Sequence, residues 1–234
     1  MEKSDAVKKY VLTAAFERRP KAESVLPVPF VTVSRQAGAG GHAFAEAFLR
    51  ELAQEPGREL YHGWEAFDQA LCDKVASDAG LRVIRDAILD ERFRGSVEDS
   101  VTQFMAGLSP QLKVYHHMFR TIRTLATVGK AVIVGRAAAC FTRDLPTGIH
   151  IRLVASRESR ILRLSGRLGV SKRDAERRLD ALDKSREALV REYFHKDIED
   201  PMLYDATWNT DMVPVESVAR CVLRLVADRA VTAV

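Results

Sequence analysis

The chain has 234 residues, enough for a sizeable core in one domain or in one domain with an inserted lid. A formal charge of +4 and a pI near 9.0 suit a binder of small polyanions and do not require a nucleic acid polymer, for which no RRM, zinc-finger or basic-zipper pattern is present. Cys72, Cys140 and Cys221 are isolated and odd in number, which argues against a disulfide framework or a CxxC metal site and for buried structural thiols; with no apolar run of spanning length, the sequence reads as a reduced, cytoplasmic protein away from membranes.

Residues 1–27 read as a leading helix, with Val7, Tyr10, Val11, Ala14 and Ala15 on one stripe and Arg18-Arg19-Pro20 closing it. They form an appendage to a main domain over 28–234. Next comes a short apolar run, Phe30, Val31 and Val33, then Gly38-Ala39-Gly40-Gly41, then Phe44, Phe48 and Leu52 at helical spacing. A strand that feeds a helix through glycines aims free backbone N–H groups and the positive helix end at one point, the natural seat of an anion. Three glycines in four residues exceed what an ordinary tight turn needs.

The loop departs from the regular P-loop G-x-x-x-x-G-K-[ST]: Gly41 stands at the lysine and His42 at the hydroxyl residue. Gly38 to Ala43 also satisfies G-x-G-x-x-A, a weak dinucleotide fingerprint, so an NAD(P)-dependent oxidoreductase is a rival reading. That rival needs a ribose-binding acid at the end of the next strand, and Glu55 and Glu59 lie in a polar Pro-Gly stretch with no clear strand before them.

After the break at Gln54–Arg58, the stretch from Trp64 begins another helix with Asp68 near its start, and residues 82–129 are mostly helical with breaks at Gly95-Ser96 and Ser109-Pro110. Lys130–Arg136 is a second buried-strand signal, running straight into a glycine and an arginine. Ile149–Ala155, partly alternating, is a third and Tyr204–Thr210 a weaker fourth. Strands separated by helices imply an α/β fold with a parallel sheet covered on both faces and ligands at the carboxyl ends of the strands, where Gly38–Gly41 and Arg136 both fall.

Between the third and fourth strands lies an arginine-rich helical hairpin. Arg160, Arg163 and Arg167 step by three and four along one helix face; Ser171-Lys-Arg-Asp174 resembles a capping box; Asp180, Asp183 and Arg186 share a face of the next helix. Guanidiniums bind phosphate oxygens two at a time, which suits transfer of a charged phosphoryl group.

Taken in order, Val31–His42, Phe67-Asp68, Val132–Arg136, Ile151–Arg160, Leu182–Arg186 and Tyr204–Thr210 resemble the cytidylate kinase-like family of nucleoside monophosphate kinases, from about Pro29 to about Val226. The resemblance implies a P-loop kinase fold with an acceptor region at about 60–129 and a helical lid at about 157–198. It implies phosphoryl transfer from ATP with Mg2+ to a CMP- or UMP-like nucleoside monophosphate, with no metal held by the protein alone. Gly38, Ala39, Gly40, Gly41 and His42 would hold the donor phosphates, Asp68 and Arg136 the acceptor, and Arg163 and Arg167 the nucleotide from the lid. Asp183, Arg186 and, as the nearest cation before the glycines, Arg35 would serve the transfer itself. Members of the family likewise replace the P-loop lysine. Ala137 and Leu179 depart from cytidylate kinases, which carry a base-reading aspartate and a lid arginine there, so cytosine specificity is not legible. A non-catalytic nucleotide-binding or regulatory module is the second alternative.

Overall fold

The structure, a computed structural model, describes residues 28–55, 59–68 and 110–232. Five strands form one parallel sheet: β1 (Phe30–Arg35), β2 (Glu65–Phe67), β3 (Ala131–Val134), β4 (Gly148–Val154) and β5 (Ala206–Asn209), in the order β2-β3-β1-β4-β5. The helices are α1 (Gly41–Ala53), α2 (Pro110–Val128), the single turn α3 (Ala138–Phe141), α4 (Arg157–Leu168), α5 (Lys172–Phe194) and α6 (Val215–Thr232). The leading helix over 1–27, most of the acceptor region and Cys72 lie outside the described residues.

One face of the sheet presents Val31, Val33, Val132, Ile149, Ile151 and Leu153, against which α1 and α6 press Phe44, Phe48, Leu52, Val218, Val222 and Val226. The other face buries Phe30, Phe67 and Ile133 under Ile122 and Leu125 of α2. Burial on both sides explains why the central strands read as continuous apolar runs. The second face is not wholly apolar. Thr32 pairs in register with His150, and Ser34 with Arg152, so a polar stripe crosses β1 and β4 toward their carboxyl ends.

Three expectations are corrected. The stretch from Trp64 opens as the edge strand β2 rather than a helix; a three-residue strand is too short to show alternation, and Asp68 follows that strand instead of starting a helix. Cys140 is half-buried and Cys221 exposed, because position 221 faces away from the sheet that its neighbours Val218 and Val222 cover. The sheet order also departs from the dinucleotide-binding arrangement: β1 lies between β3 and β4, so the strand after α1 is not its neighbour, as the ribose-binding acid would require.

The hairpin α4–α5 is locked internally. Ser156 caps α4, Gly169 ends it in the left-handed region, and Ser171 caps α5 by accepting from the Asp174 N–H at 3.1 Å, as the capping-box spacing anticipates. Arg157 forks onto Asp180 at 2.7 and 2.8 Å and reaches Glu176 at 3.0 Å. At the far end of α5, Phe194 meets Phe141 edge-on at 4.7 Å and Phe119 at 5.8 Å. Among the described residues no helix is long and apolar enough to cross a membrane.

Candidate active site

The loop between β1 and α1 is held open by its neighbours. The Gln36 N–H donates to Leu153 O at 3.0 Å and the Ala155 N–H to Gln36 Oε1 at 3.1 Å, which fixes the loop to the end of β4. Gly38 and Gly40 have φ of 78° and 91°. A Cβ on Gly38 would stand 2.5 Å from Arg160 O, so glycine lets α4 press against the loop. Among the described residues, the backbone N–H groups of Gly38, Gly40, Gly41, His42 and Ala43 have no hydrogen-bond partner, and α1 has neither a side-chain cap nor an acidic residue in its first turn. Such a row of N–H groups at a helix start is an anion cradle.

Arg35 ends β1 beneath this cradle, and two glycines make room for it. A Cβ on Gly41 would lie 3.1 Å from its Cγ, and one on Gly135 would overlap its Nη1. Burial, then the guanidiniums of Arg186 and Arg136, lower its pKa to about 9, so it stays cationic at neutral pH. Arg186 is lowered too, by burial and by Arg167 and Arg160, against the pull of Asp183. Burial, Arg167 and Arg35 likewise keep His42 below the ordinary histidine value. Burial and neighbouring guanidiniums thus lower Arg35, His42 and Arg186 alike, the mark of a site in which positive charge outweighs its local answer from Asp183.

The hairpin closes on the cradle through Asp183. Its Oδ1 accepts from the Ala37 N–H at 2.6 Å, its Oδ2 from Arg160 Nη1 at 2.5 Å, and Arg186 lies 3.6 Å away. Arg186 Nη1 also donates to Arg35 O at 3.2 Å. Leu179, where cytidylate kinases carry an arginine, is buried with Ala37, Leu164 and Ala175 in a small apolar contact beneath the loop.

Of the residues singled out in the sequence, Arg35, Arg136 and Arg186 line one cleft of about 290 Å3, with Ser185 and Tyr193. Arg136 and Ala137 both have positive φ, 55° and 52°, a conformation held at a cost of about 1–3 kcal/mol each. Asp68, at the end of β2, lies near enough to His42 for its charge to act on the imidazole, as does that of Arg167. Arg163 turns elsewhere. It grips Thr210 through Oγ1 at 2.8 Å and O at 3.0 Å and Asp211 at 3.1 Å, while Thr210 Oγ1 donates to Ala39 O at 3.2 Å. Its place is a brace behind the cradle. Sequence reasoning missed Gln36, Arg152 and Tyr204, which face the same region; the only available signal was an arginine inside a strand pattern.

A family model described as the cytidylate kinase-like family matches residues 30–212. No curated protein matches the chain. Among solved structures, an uncharacterized protein from Eubacterium ventriosum ATCC 27560 superposes with a TM-score of 0.61 at 20% identity, covering 85% of this chain and 98% of that one. Shikimate kinase from Bacteroides thetaiotaomicron gives 0.45 at 16% identity, with 85% and 98% covered. Shikimate kinase from Acinetobacter baumannii in complex with shikimate gives 0.44 at 16%, with 87% and 95% covered. The family match runs from the first residue of β1, through the glycine cradle, Arg136 and the α4–α5 hairpin, to the loop after β5, and on that span the chain belongs to the cytidylate kinase-like family.

Proposed function

We propose that this protein transfers the terminal phosphoryl group of ATP to a small acceptor of the nucleoside monophosphate type, CMP- or UMP-like. The observation that carries the reading is the row of five N–H groups from Gly38 to Ala43, unpartnered among the described residues, beside the cleft that Arg35, Arg136 and Arg186 line together. In this reading the N–H groups seat the donor phosphates. Arg35 supplies the cation that Gly41 lacks, Arg136 and Asp68 face the acceptor, and Arg186 neutralises charge on the transferring group. Phosphoryl transfer asks mainly for positioning and charge neutralisation, so no covalent nucleophile is needed.

Magnesium enters as part of the donor. His42 replaces the usual hydroxyl ligand, and among the described residues no three metal-ligating side chains gather. In this reading the ion is carried by phosphate oxygens and water, as magnesium in nucleotide sites commonly is. Asp183 fits a switching role: while it accepts from the Ala37 N–H, it holds the hairpin down on the loop.

The test is a phosphotransfer assay with MgATP across the nucleoside monophosphates. Product that depends on both donor and acceptor supports the proposal. Tight MgATP binding with no turnover on any of them would leave a non-catalytic nucleotide-binding module.

A further inference from the structure

Arg152 is buried in the middle of the sheet, and the fold gives it little in return. It is 4% exposed, between Ile151 and Leu153, both fully buried. A guanidinium carries five N–H donors and costs several kcal/mol to desolvate unless charge and hydrogen bonds answer it. The answers here are long. Ser34 Oγ lies 3.4 Å from Nη1, and Glu199 Oε1, on a side chain 70% exposed, lies 3.5 Å from Nη2; the Tyr204 hydroxyl interacts with the guanidinium as well, its ring centroid 5.7 Å away. Charge-assisted N–H···O bonds run nearer about 2.7–2.9 Å. Arg160, 7% exposed, has a far closer carboxylate, with Nη1 2.5 Å from Asp183 Oδ2, although its buried Nε finds no partner.

The guanidinium opens onto a cavity of about 280 Å3 shared with Arg35, Gln36, Arg186, Asp197 and Glu199. Arg35 and Arg186 also line the cleft that contains Arg136, so the two spaces adjoin across the same pair of cations. The acids of the cavity have other occupations. Glu187 pairs with Arg191 at 2.8 Å, Asp197 Oδ1 accepts from the Glu199 N–H at 2.8 Å, and Asp183 is held by Arg160 and the loop. Only Glu199 rests on Arg152, loosely and from the solvent side.

We infer that the cavity over Arg152 is an oxyanion subsite, where a carboxylate or phosphate group of the acceptor displaces Glu199 and takes the guanidinium. This rests on the phosphotransfer reading for the loop beside it, and it narrows the acceptor. Because the two spaces share Arg35 and Arg186, an acceptor of the proposed type that carries a second oxyanion besides its phosphate would engage both Arg136 and Arg152. A plain nucleoside monophosphate satisfies one of the two.

The test follows the Arg152 side-chain Nε–Hε signal by NMR, assigned from its loss in Arg152→Met, while inorganic phosphate or acetate is titrated into protein saturated with MgAMP-PNP. Phosphate moves the signal in a saturable way, acetate competes if the subsite prefers a carboxylate, and Glu199→Gln lowers the titration midpoint several-fold by removing the competing charge. Arg152→Met melts at or above the wild-type temperature, because an apolar side chain suits a buried strand. An Arg152 signal that neither anion moves, or a Glu199→Gln midpoint equal to wild type, overturns the inference. If MgAMP-PNP itself fails to bind, the phosphotransfer reading falls, and the titration without nucleotide still decides the subsite.

Discussion

Gly41 and Arg35 are matched by subtraction: the stem of Arg35 runs where a side chain at position 41 would emerge, with a Cβ there only 3.1 Å from Cγ and 3.3 Å from Cδ. The stem of a cation thus passes from the end of the strand under the position where a regular P-loop carries its lysine.

Arg35→Ala is therefore expected to weaken MgATP binding by roughly 10- to 100-fold, the loss of about 1.5–3 kcal/mol typical of a hydrogen bond to a charged group. Titration calorimetry measures it. Gly41→Lys alone should also bind less well, since its Cβ crowds the Arg35 stem and pushes it aside, whereas the double variant Arg35→Ala/Gly41→Lys should recover affinity. Equal affinity in Arg35→Ala and wild type would remove Arg35 from the donor site.

Arg186 donates to the Arg35 carbonyl and lies near Asp183, at the seam between hairpin and cradle. Arg186→Ala should lower kcat by roughly 10³ to 10⁵ with little change in ATP affinity, as expected of a cation that acts on spreading charge in the transition state. Arg186→Lys should recover only part, because the ammonium lacks the fork. Turnover in Arg186→Ala close to wild type would reduce it to a tie between helix and strand.

Gly38 has φ of 78° with the Arg160 carbonyl in the path of any side chain. Gly38→Ala should cost about 2 kcal/mol or more, a fall in Tm of roughly 4–8 °C, and should impair nucleotide binding with it. An unchanged melting curve would show that the loop relaxes freely.

His150, buried with its Nδ1 2.8 Å from Thr32 Oγ1, has its pKa lowered to about 4, chiefly by burial. The unfolded chain binds this proton from about pH 6.5 downward and the folded chain does not, so stability is full above that pH and is lost as pH falls toward 4. The loss by pH 5 should be about 2 kcal/mol. Denaturant melts of wild type and His150→Gln between pH 7 and pH 5 check this, since the variant should show a much flatter profile.

Much of the architecture was legible because it rests on strong local signals. The apolar runs at 30–33 and 131–134 could only be buried strands, and three glycines before a helical repeat marked the cradle. What stayed hidden was burial of polar residues. In the run from Ile149 to Val154, His150 and Arg152 alternate with apolar neighbours, the pattern of a strand with one wet face. Both are in fact enclosed, by Thr32, Ser34 and Tyr204, which are far away in sequence. Arg160 and Arg163 likewise read as phosphate-facing guanidiniums of a basic helix, since nothing local announces the Asp183 and Thr210 that meet them. β2 escaped notice because three residues carry too little pattern.

The aromatic contact at the end of α5 sets the scale on which the hairpin can respond to a ligand. Phe194 is wedged among Phe119 and Phe141, whereas Asp183 sits eleven residues nearer the start of the helix, about 16 Å away at 1.5 Å per residue. With its carboxyl end held there, the helix would act as a lever. A tilt of about 10° at the pivot would carry Asp183 about 3 Å at this length, enough to break its hold on the Ala37 N–H. Arg157 and Arg160 bind α4 to α5, but Arg163 also ties α4 to Thr210 and Asp211, so movement of the whole hairpin would have to release that brace as well. Small changes in how one phenylalanine packs would therefore be read out, magnified, at the carboxylate that fastens the hairpin to the loop.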